Sequence, residues 1–225
     1  MKVTKIKNAT IMNVDCMEYM RTVPDKFFDL AVVDPPYGIN FSEFNRTNKT
    51  SSGARIKADK YKNSDWDNGI PSDAYFNQLI DVSKNQIIWG GNYFPFVWKF
   101  GCKGFVFWYK KNPVANFSDG ELAYTSFNTP AKCFEYAYYG NIEGETSAGN
   151  KIHPTQKPVK LYEWILTNYA KPGQTIFDSH MGSGSSAIAC NNLGFEYVGC
   201  ELDEDYYKAA CARIEQHAKQ IRLFA

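Results

Sequence analysis

Four residues that could do chemistry together, Asp34-Pro35-Pro36-Tyr37, directly follow the apolar run Leu30-Ala31-Val32-Val33. A short run rich in valine is typical of a strand buried on both faces, and prolines have no N–H group with which to continue a ladder. In an open α/β sheet, ligands bind just beyond the carboxyl ends of the strands. The sequence therefore predicts a carboxylate, a rigid pair of carbonyl groups and a ring at the rim of an active site. An ordinary strand-ending turn is the alternative.

A second group of candidate site residues lies late in the chain, where a predicted strand over 175–178 ends in Asp178 and a glycine-rich loop follows. The loop, Gly182-Ser183-Gly184, leads into a helix, so the backbone can pass close to a ligand while the helix N-terminus offers free N–H groups. The next predicted strand, 197–201, ends in Glu201, which is well placed to bind the two hydroxyls of a ribose. This pattern indicates a nucleoside site, and glycines that serve tight packing alone are the alternative.

Two kinds of nucleoside ligand fit the pattern of this loop, a dinucleotide and S-adenosylmethionine. Residues 182–187 (Gly-Ser-Gly-Ser-Ser-Ala) fit the dinucleotide pattern, so an oxidoreductase is one interpretation. A dinucleotide fold usually opens with that unit, whereas here the unit closes the chain, after a separate unit that also ends in an acid. Asp178 suits S-adenosylmethionine better, because the positively charged methionine end needs acceptors rather than the anion cradle of a pyrophosphate.

The elements that must position these residues form a β-α-β pattern. Residues 9–15 are predicted to be a strand that ends in Asp15, with a short helix from Cys16 to Arg21 leading to the strand before Asp34. Apolar residues at helical spacing predict a helix over 71–85, and Ile87-Ile88-Trp89 predicts another buried strand. Strands are also predicted near 121–127 and 131–139, and a helix over 159–169.

Residues 42–69 interrupt this pattern, because they contain almost no apolar side chains. Such a segment cannot bury enough surface to offset its ordering entropy, so we expect a mobile basic loop. Its position next to the Asp34 strand favours contacts to nucleic-acid phosphates, and a solvated surface insertion is the alternative. Six basic residues carry this prediction: Arg46, Lys49, Arg55, Lys57, Lys60 and Lys62.

Residues 93–150 are rich in aromatic side chains, most of which should pack in the core. The lysines interleaved with them still allow contact with a nucleic-acid backbone, and we expect the target-recognition sector here.

Composition bounds the remaining possibilities. A chain of 225 residues that is 44% hydrophobic predicts a single domain over 1–225, and a formal charge of +1 means that any nucleic-acid role must rest on local clusters. Six cysteines without a Cys-x-x-Cys pair and three histidines indicate neither a zinc site nor a disulfide framework, so no metal is expected and the predicted location is the cytoplasm. No membrane span or signal peptide is expected.

Three motifs together resemble the family of DNA amino-methyltransferases: Asp34-Pro35-Pro36-Tyr37, His153-Pro154-Thr155-Gln156-Lys157-Pro158, and residues 178–184 (Asp-Ser-His-Met-Gly-Ser-Gly). With the catalytic motif first and the cofactor loop last, the order resembles the permuted β group of that family. The likeness covers residues 11–40 and 150–210 well. One departure is Ser179-His180, where the family usually carries Pro-Phe, and we expect a packing role for His180.

This resemblance implies a class I S-adenosylmethionine-dependent, Rossmann-like α/β fold with a doubly wound, mostly parallel seven-stranded sheet. It implies a DNA adenine-N6 methyltransferase, since members that act on cytosine more often carry Ser at the position of Asp34. The alternatives are cytosine-N4 methylation and a noncatalytic nucleic-acid-binding subunit. DNA is the implied partner, and the sequence leaves open a homodimer and a restriction-enzyme partner.

By the same resemblance, each motif has a role. Asp34 and the Pro35 carbonyl would accept the hydrogens of the target amine, Pro36 would stiffen that carbonyl, and Tyr37 would stack on the flipped base. Asp15 and the Cys16 backbone would meet the cofactor adenine, and Glu201 its ribose. Thr155 and Lys157 would approach the methionine carboxylate, although residues 153–158 also resemble an ordinary proline-rich connector. The cofactor loop itself would comprise Asp178, Gly182, Ser183 and Gly184.

Overall fold

One mixed β-sheet organises the described part of the chain, which in this computed structural model comprises residues 1–39, 67, 69–111, 118–138, 151–153 and 155–220. Its nine strands in those residues lie in the order β1-β2-β9-β8-β3-β4-β6-β5-β7. Seven strands run in one direction, while β1 and β6 run against their neighbours. The strands are β1 (Lys2–Ile6), β2 (Ala9–Asn13), β3 (Phe28–Val33), β4 (Ser83–Trp89), β5 (Phe105–Tyr109), β6 (Gly120–Thr125), β7 (Lys132–Glu135), β8 (Thr175–Asp178) and β9 (Glu196–Glu201).

Six α-helices in the described residues connect or flank these strands. They are α1 (Cys16–Met20), α2 (Asp73–Val82), α3 (Pro95–Trp98), α4 (Val159–Tyr169), α5 (Ser185–Leu193) and α6 (Glu204–Lys219), and a 3-10 turn covers Gly91–Tyr93. None of them is long and apolar enough to cross a membrane, within the ranges that the structure describes.

Helices cover both faces of the sheet, as the prediction of a doubly wound fold requires. On β3, Leu30 and Val32 join one hydrophobic cluster, whereas Ala31 and Val33 join the other, because successive side chains of a strand point to opposite faces. Helices α4, α5 and α6 complete the first cluster, and α1, α2 and α3 complete the second. A strand buried on both sides explains why its sequence is continuously apolar.

The sheet is wider than the seven strands expected. The hairpin partner β1 adds one edge strand, antiparallel to β2. Toward the opposite edge, β5 lies between β6 and β7, in the aromatic sector, at residues for which no strand was predicted. The exposed residues of β1 carry little of the apolar signal on which the prediction of a strand depends, whereas β5 is a continuous run of apolar and aromatic residues that the prediction missed.

Element boundaries differ from the predictions at several points. The helix predicted to reach residue 85 ends at Val82, because residues 83–85 pair with β3 and Lys84 forms an ion pair with Asp29 at 2.7 Å. The strand predicted to reach Asp15 ends at Asn13, since Asp15 caps α1 by accepting the Met17 N–H at 2.7 Å. The strands predicted over 121–127 and 131–139 are shorter, at Gly120–Thr125 and Lys132–Glu135.

Candidate active site

The carboxyl ends of adjacent parallel strands meet at one edge of the sheet. Because β2, β9, β8 and β3 are neighbours that run in the same direction, the residues that follow them come together there. A cavity of about 700 Å³ opens at this edge. Its walls include nine of the predicted site residues: Asp15, Cys16, Asp34, Pro36, Thr155, Lys157, Gly182, Ser183 and Glu201.

Asp34 lies in a cluster of charged side chains at the end of β3. The Lys157 ammonium is 2.5 Å from Asp34 Oδ2, and the Tyr37 hydroxyl donates to Asp34 Oδ1 at 2.6 Å. Lys157 also donates to the Tyr37 hydroxyl at 3.1 Å and lies 3.1 Å from Glu121 Oε2 on β6. The other carboxylate oxygen of Glu121 pairs with Lys110. The cluster therefore joins two carboxylates and two ammonium groups that are distant in the sequence.

The pKa values in this cluster follow from burial and from these pairs. Burial raises the pKa of Asp34, and the nearby Lys157 ammonium opposes that rise. Burial alone would lower the pKa of Lys157, but the carboxylates of Asp34 and Glu121 outweigh it, so the pKa is raised. For Glu121, the charges of Lys157 and Lys110 overcome burial and hold the pKa at about 2. Lys157 and Glu121 are thus both charged at neutral pH.

The loop after Asp34 is held by backbone contacts. The N–H groups of Tyr37 and Gly38 both donate to Asp67 Oδ1, at 2.8 and 2.9 Å. The Tyr37 ring is stacked on Tyr93, with ring centroids 5.0 Å apart and planes at 15°. Gly90 has φ +71°, and a Cβ atom there would lie 2.2 Å from the Tyr37 ring, so the ring position requires glycine.

The glycine-rich loop is anchored through Glu201. Its Oε2 accepts the Gly182 N–H at 2.9 Å and its Oε1 accepts the Asp203 N–H at 3.0 Å. Burial raises the pKa of Glu201 to about 7 despite these two bonds. Gly184 has φ +73°, and its missing Cβ leaves room for the Ile214 side chain, which a Cβ would approach to 2.7 Å. The backbone conformation therefore favours glycine at 184, and a Cβ there would require the end of the Ile214 side chain to move.

Asp178 lies beneath this loop, almost completely buried. It accepts the Ser186 hydroxyl hydrogen at 2.6 Å and the His180 N–H at 3.1 Å. Burial raises the pKa of Asp178 to about 7. The structure thus joins Asp178 to the first turn of α5.

The remaining cofactor candidates line the cavity with defined partners. The Thr155 hydroxyl is 3.1 Å from His153 Nδ1, and the His153 ring packs against Tyr206 at 4.5 Å. Burial lowers the pKa of His153 to about 4. Burial also raises the pKa of the Cys16 thiol to about 12, so this cysteine is protonated and is no nucleophile at neutral pH.

His180 is packed rather than exposed to solvent. Its ring makes an edge contact with Tyr75 at 5.4 Å, and its Nδ1 is 2.8 Å from the Ser179 hydroxyl. The Tyr75 hydroxyl is itself 2.7 Å from the Ser179 hydroxyl. Burial lowers the pKa of His180 to about 4, so the ring is neutral. These contacts agree with the expected packing role on the cavity wall.

Three residues of this edge were missed by the sequence reasoning: Asp67, Tyr93 and Glu121. Tyr93 follows the Gly90-Gly91-Asn92 turn, and nothing local marks the ring itself. Glu121 begins a predicted strand rather than ending one, and its position depends on pairing across the sheet, which one sequence does not display. Asp67 reaches the Asp34 loop only through the long-range contacts with the Tyr37 and Gly38 N–H groups.

Two predicted segments fall partly or wholly outside the described residues. All six basic residues of the 42–69 loop lie there: Arg46, Lys49, Arg55, Lys57, Lys60 and Lys62. Of the 93–150 sector, the described part supplies α3 and the strands β5, β6 and β7. The expectation that most of its rings pack in the core is wrong for this part: five are buried in the two core clusters and three pack against them, whereas another five are exposed, namely Tyr93, Trp98, Phe100, Phe105 and Tyr109.

Comparison with known proteins gives a consistent set of similarities. Residues 103–212 match the DNA methylase family N6_N4_Mtase. The type II methyltransferase M.HinfI of Haemophilus influenzae is 24% identical over 92% of this chain and 68% of its own length. The M1.HpyAVI–SAM complex has a TM-score of 0.57 at 23% identity, covering 91% of this chain and 99% of that one. The cytosine-N4-specific PvuII DNA methyltransferase has a TM-score of 0.61 at 12% identity, covering 98% and 89%.

Proposed function

We propose that the chain is a member of the DNA amino-methyltransferase family and that it transfers a methyl group from S-adenosylmethionine to the exocyclic N6 amine of a flipped adenine in DNA. One observation carries this proposal: Asp34 and Pro36 line the same cavity as Asp15, Gly182 and Glu201. Asp34, which is proposed to meet the target amine, therefore shares one space with the residues proposed to hold the methyl donor.

The cavity suits S-adenosylmethionine in its donor set. Glu201 offers carboxylate oxygens to ribose hydroxyls, and Asp15 lines the same cavity for the adenine amine. Gly182 has φ +54°, and a Cβ atom built there would meet nothing closer than the His153 ring at 3.8 Å, so the space beside the loop is open to a ligand. When bound, S-adenosylmethionine supplies an electrophilic methyl group on a positively charged sulfur.

The target amine needs activation, because its lone pair is delocalised into the base. If Asp34 accepts one N–H hydrogen and the Pro35 carbonyl accepts the other, the nitrogen is favoured in a tetrahedral form whose lone pair can attack. The raised pKa of Asp34 strengthens it as an acceptor. Positioning two bound reactants in one cavity supplies much of the remaining acceleration.

The base must leave the duplex to reach this cavity, which costs a few kcal/mol of unstacking. Tyr37 is proposed to recover part of that cost by stacking on the flipped base. Its ring is fixed in position by the Asp67 contacts to the loop and by the close approach of Gly90. Tyr93, which is 40% exposed and stacked on Tyr37, lies next to the proposed base site.

Adenine is proposed rather than cytosine because Asp34, rather than the serine more frequent in cytosine-specific members, opens the motif. The PvuII enzyme is named cytosine-N4-specific, and its likeness to this chain concerns the fold. The basic 42–69 loop as a phosphate contact, the 93–150 target-recognition sector, a homodimer and a restriction-enzyme partner stay predictions, as does the cytoplasmic location.

The test is direct identification of the product. The purified protein is incubated with mixed-sequence DNA and S-adenosylmethionine carrying an isotope-labelled methyl group, and the DNA is then digested to nucleosides and separated. We expect the label in N6-methyladenine. Label in N4-methylcytosine would show the alternative base, and unlabelled DNA together with normal cofactor binding would support the noncatalytic subunit.

A further inference from the structure

The charged cluster at the end of β3 raises a geometric problem for the proposed reaction, on which this inference rests. Asp34 is 15% exposed, and both its oxygens already have partners, Lys157 at 2.5 Å and the Tyr37 hydroxyl at 2.6 Å. Each carboxylate oxygen can accept a second hydrogen bond, but the Lys157 ammonium at 2.5 Å neutralises Oδ2 and makes Asp34 a weaker acceptor for an amine hydrogen. Asp34 therefore accepts the target amine better if Lys157 moves away from Oδ2 when the base arrives.

Lys157 cannot simply leave for solvent. Its side chain is 3% exposed, and a buried ammonium without a carboxylate partner is strongly unfavourable. It therefore needs a second partner within reach, and Glu121 provides one. Lys157 Nζ is 3.1 Å from Glu121 Oε2, a buried oxygen whose contact with the ammonium is an ion pair rather than a well-aligned hydrogen bond. A small shift of the ammonium toward β6 would satisfy that oxygen and release Asp34 Oδ2.

We propose that Glu121 is a positioning residue for methyl transfer: it receives the Lys157 ammonium when the target amine takes its place on Asp34. Glu121 is outside the cofactor cavity wall, whereas Asp34 and Lys157 are part of it. Lys110 holds the other oxygen of Glu121, so the carboxylate stays ionised and fixed while Lys157 shifts. The total charge of the cluster is unchanged by the shift, because only the pairing alters.

A pH signature distinguishes this role from a merely structural one. Three groups face Asp34. They are the Lys157 ammonium from the segment before α4, the Glu121 carboxylate from β6, and the Tyr37 hydroxyl from the loop that follows Asp34 itself. The negative charge of Glu121 adds to burial in raising the pKa of Asp34, and Lys157 opposes it. Removing Glu121 takes away a negative charge that raises the pKa of Asp34. It also leaves Asp34 as the one carboxylate of the cluster with which Lys157 pairs. Both changes lower the pKa of Asp34, so the acidic limb of the rate profile should move to lower pH.

Two further charged groups bear on this profile through Glu121. Lys110 pairs with it, and Lys151 interacts electrostatically with both. The buried Tyr162 of α4 also lies near the cluster, and burial raises its pKa well above the ordinary tyrosine value, so it stays neutral. Since these residues are kept in every variant, the expected displacement of the acidic limb reports on Glu121.

The experiment is single-turnover methylation by Glu121→Gln at saturating DNA and S-adenosylmethionine, from about pH 5 to 9. Glu135→Gln is the matched control, because Glu135 lies on the nearby strand β7 in an exposed pair with Lys111. We expect Glu121→Gln to slow transfer at least tenfold, to move the acidic limb to lower pH and to leave cofactor affinity within about twofold. Glu121→Asp, which keeps the charge, should recover much of the rate.

Each outcome decides the inference. A Glu121→Gln rate equal to that of Glu135→Gln, or a slower rate with an unmoved acidic limb, would overturn it. Thermal unfolding checks that the variant folds. If it does not, Glu121→Asp carries the test: because it keeps the charge but shortens the side chain, we expect a rate between the wild-type value and one tenth of it with unchanged cofactor affinity, and a full wild-type rate would contradict the role. A wild-type protein that methylates no DNA amine would contradict the proposed function itself, so the two failures are distinguishable.

Discussion

Glu201 offers a prediction in which pH reports directly on cofactor binding. Burial raises its pKa from an ordinary 4.5 to about 7, and its two oxygens already accept the N–H groups of Gly182 and Asp203. The ionised form is the better acceptor for ribose hydroxyls. Cofactor affinity should therefore fall as the pH drops through 7, because protonation removes the acceptor.

The magnitude follows from the titration. A group with a pKa of about 7 is roughly 90% ionised at pH 8 and roughly 10% ionised at pH 6, so affinity should fall about tenfold, or about 1.4 kcal/mol. Isothermal titration calorimetry with S-adenosylmethionine at the two pH values measures it. In Glu201→Gln, affinity should be lower at pH 8 and nearly independent of pH. Glu196→Gln, at the exposed start of the same strand, should behave like the wild type.

The raised pKa of Glu201 gives folding stability the opposite pH dependence to cofactor affinity. The folded state binds the Glu201 proton more tightly than the unfolded state. Its contribution to the free energy of unfolding is therefore fully present below about pH 4.5 and is lost as the pH rises through about 7. Asp178, whose pKa is also about 7, adds in the same direction. Equal affinity at pH 6 and pH 8, or the same pH dependence in Glu201→Gln, would refute the assignment of Glu201 to the ribose.

Three other predictions concern the base site, the basic loop and the cofactor loop. Tyr37→Ala should weaken capture of the flipped base, whereas Tyr37→Phe should be mild because stacking needs the ring; single-turnover rates against DNA concentration test this, and equal effects would argue against stacking. Neutralising Lys57, Lys60 and Lys62 should make the slope of log affinity against log salt shallower by about 2 to 3, and an unchanged slope would mean a solvated insertion. Gly184→Ala should destabilise the fold by about 1–2 kcal/mol because of its φ of +73°. The loss should exceed that of Gly173→Ala, where an added Cβ atom meets nothing within 4 Å. Equal denaturant midpoints of the two variants would contradict the role of the Ile214 contact.

The parts of the site that could be predicted from the sequence are those encoded by neighbouring residues. The end of β3 is marked by four apolar residues followed by two prolines, and Val159–Tyr169 is a helix with the predicted bounds. Asp34 and Glu201 were placed at strand ends by the same local signals, and parallel pairing then brings them to one edge. Strong local patterns are reliable because burial on both faces leaves few alternatives.

The parts that could not be predicted depend on contacts between distant segments. Glu121, Lys157 and Asp34 lie in three separate stretches, and their ion pairs form only after β6 and the segment before α4 are in place. The edge strand β1 gains its order from pairing with β2 rather than from apolar content. Residues 83–85 extend β4 although their polar character suited a helix end, because Ser83 pairs with Phe28.

The central claim is that the Asp34 carboxylate activates the target amine for methyl transfer while other residues hold the cofactor. Asp34→Ala is its most direct test, since Lys157 keeps Glu121 as a partner at 3.1 Å and the fold should survive. Single-turnover methylation with saturating cofactor, measured beside a cofactor titration, should show a rate lower by about a thousandfold and nearly unchanged affinity, as expected for loss of an interaction realised mainly at the transition state. Methylation by Asp34→Ala at close to the wild-type rate would contradict the claim and would place the reaction elsewhere on the sheet.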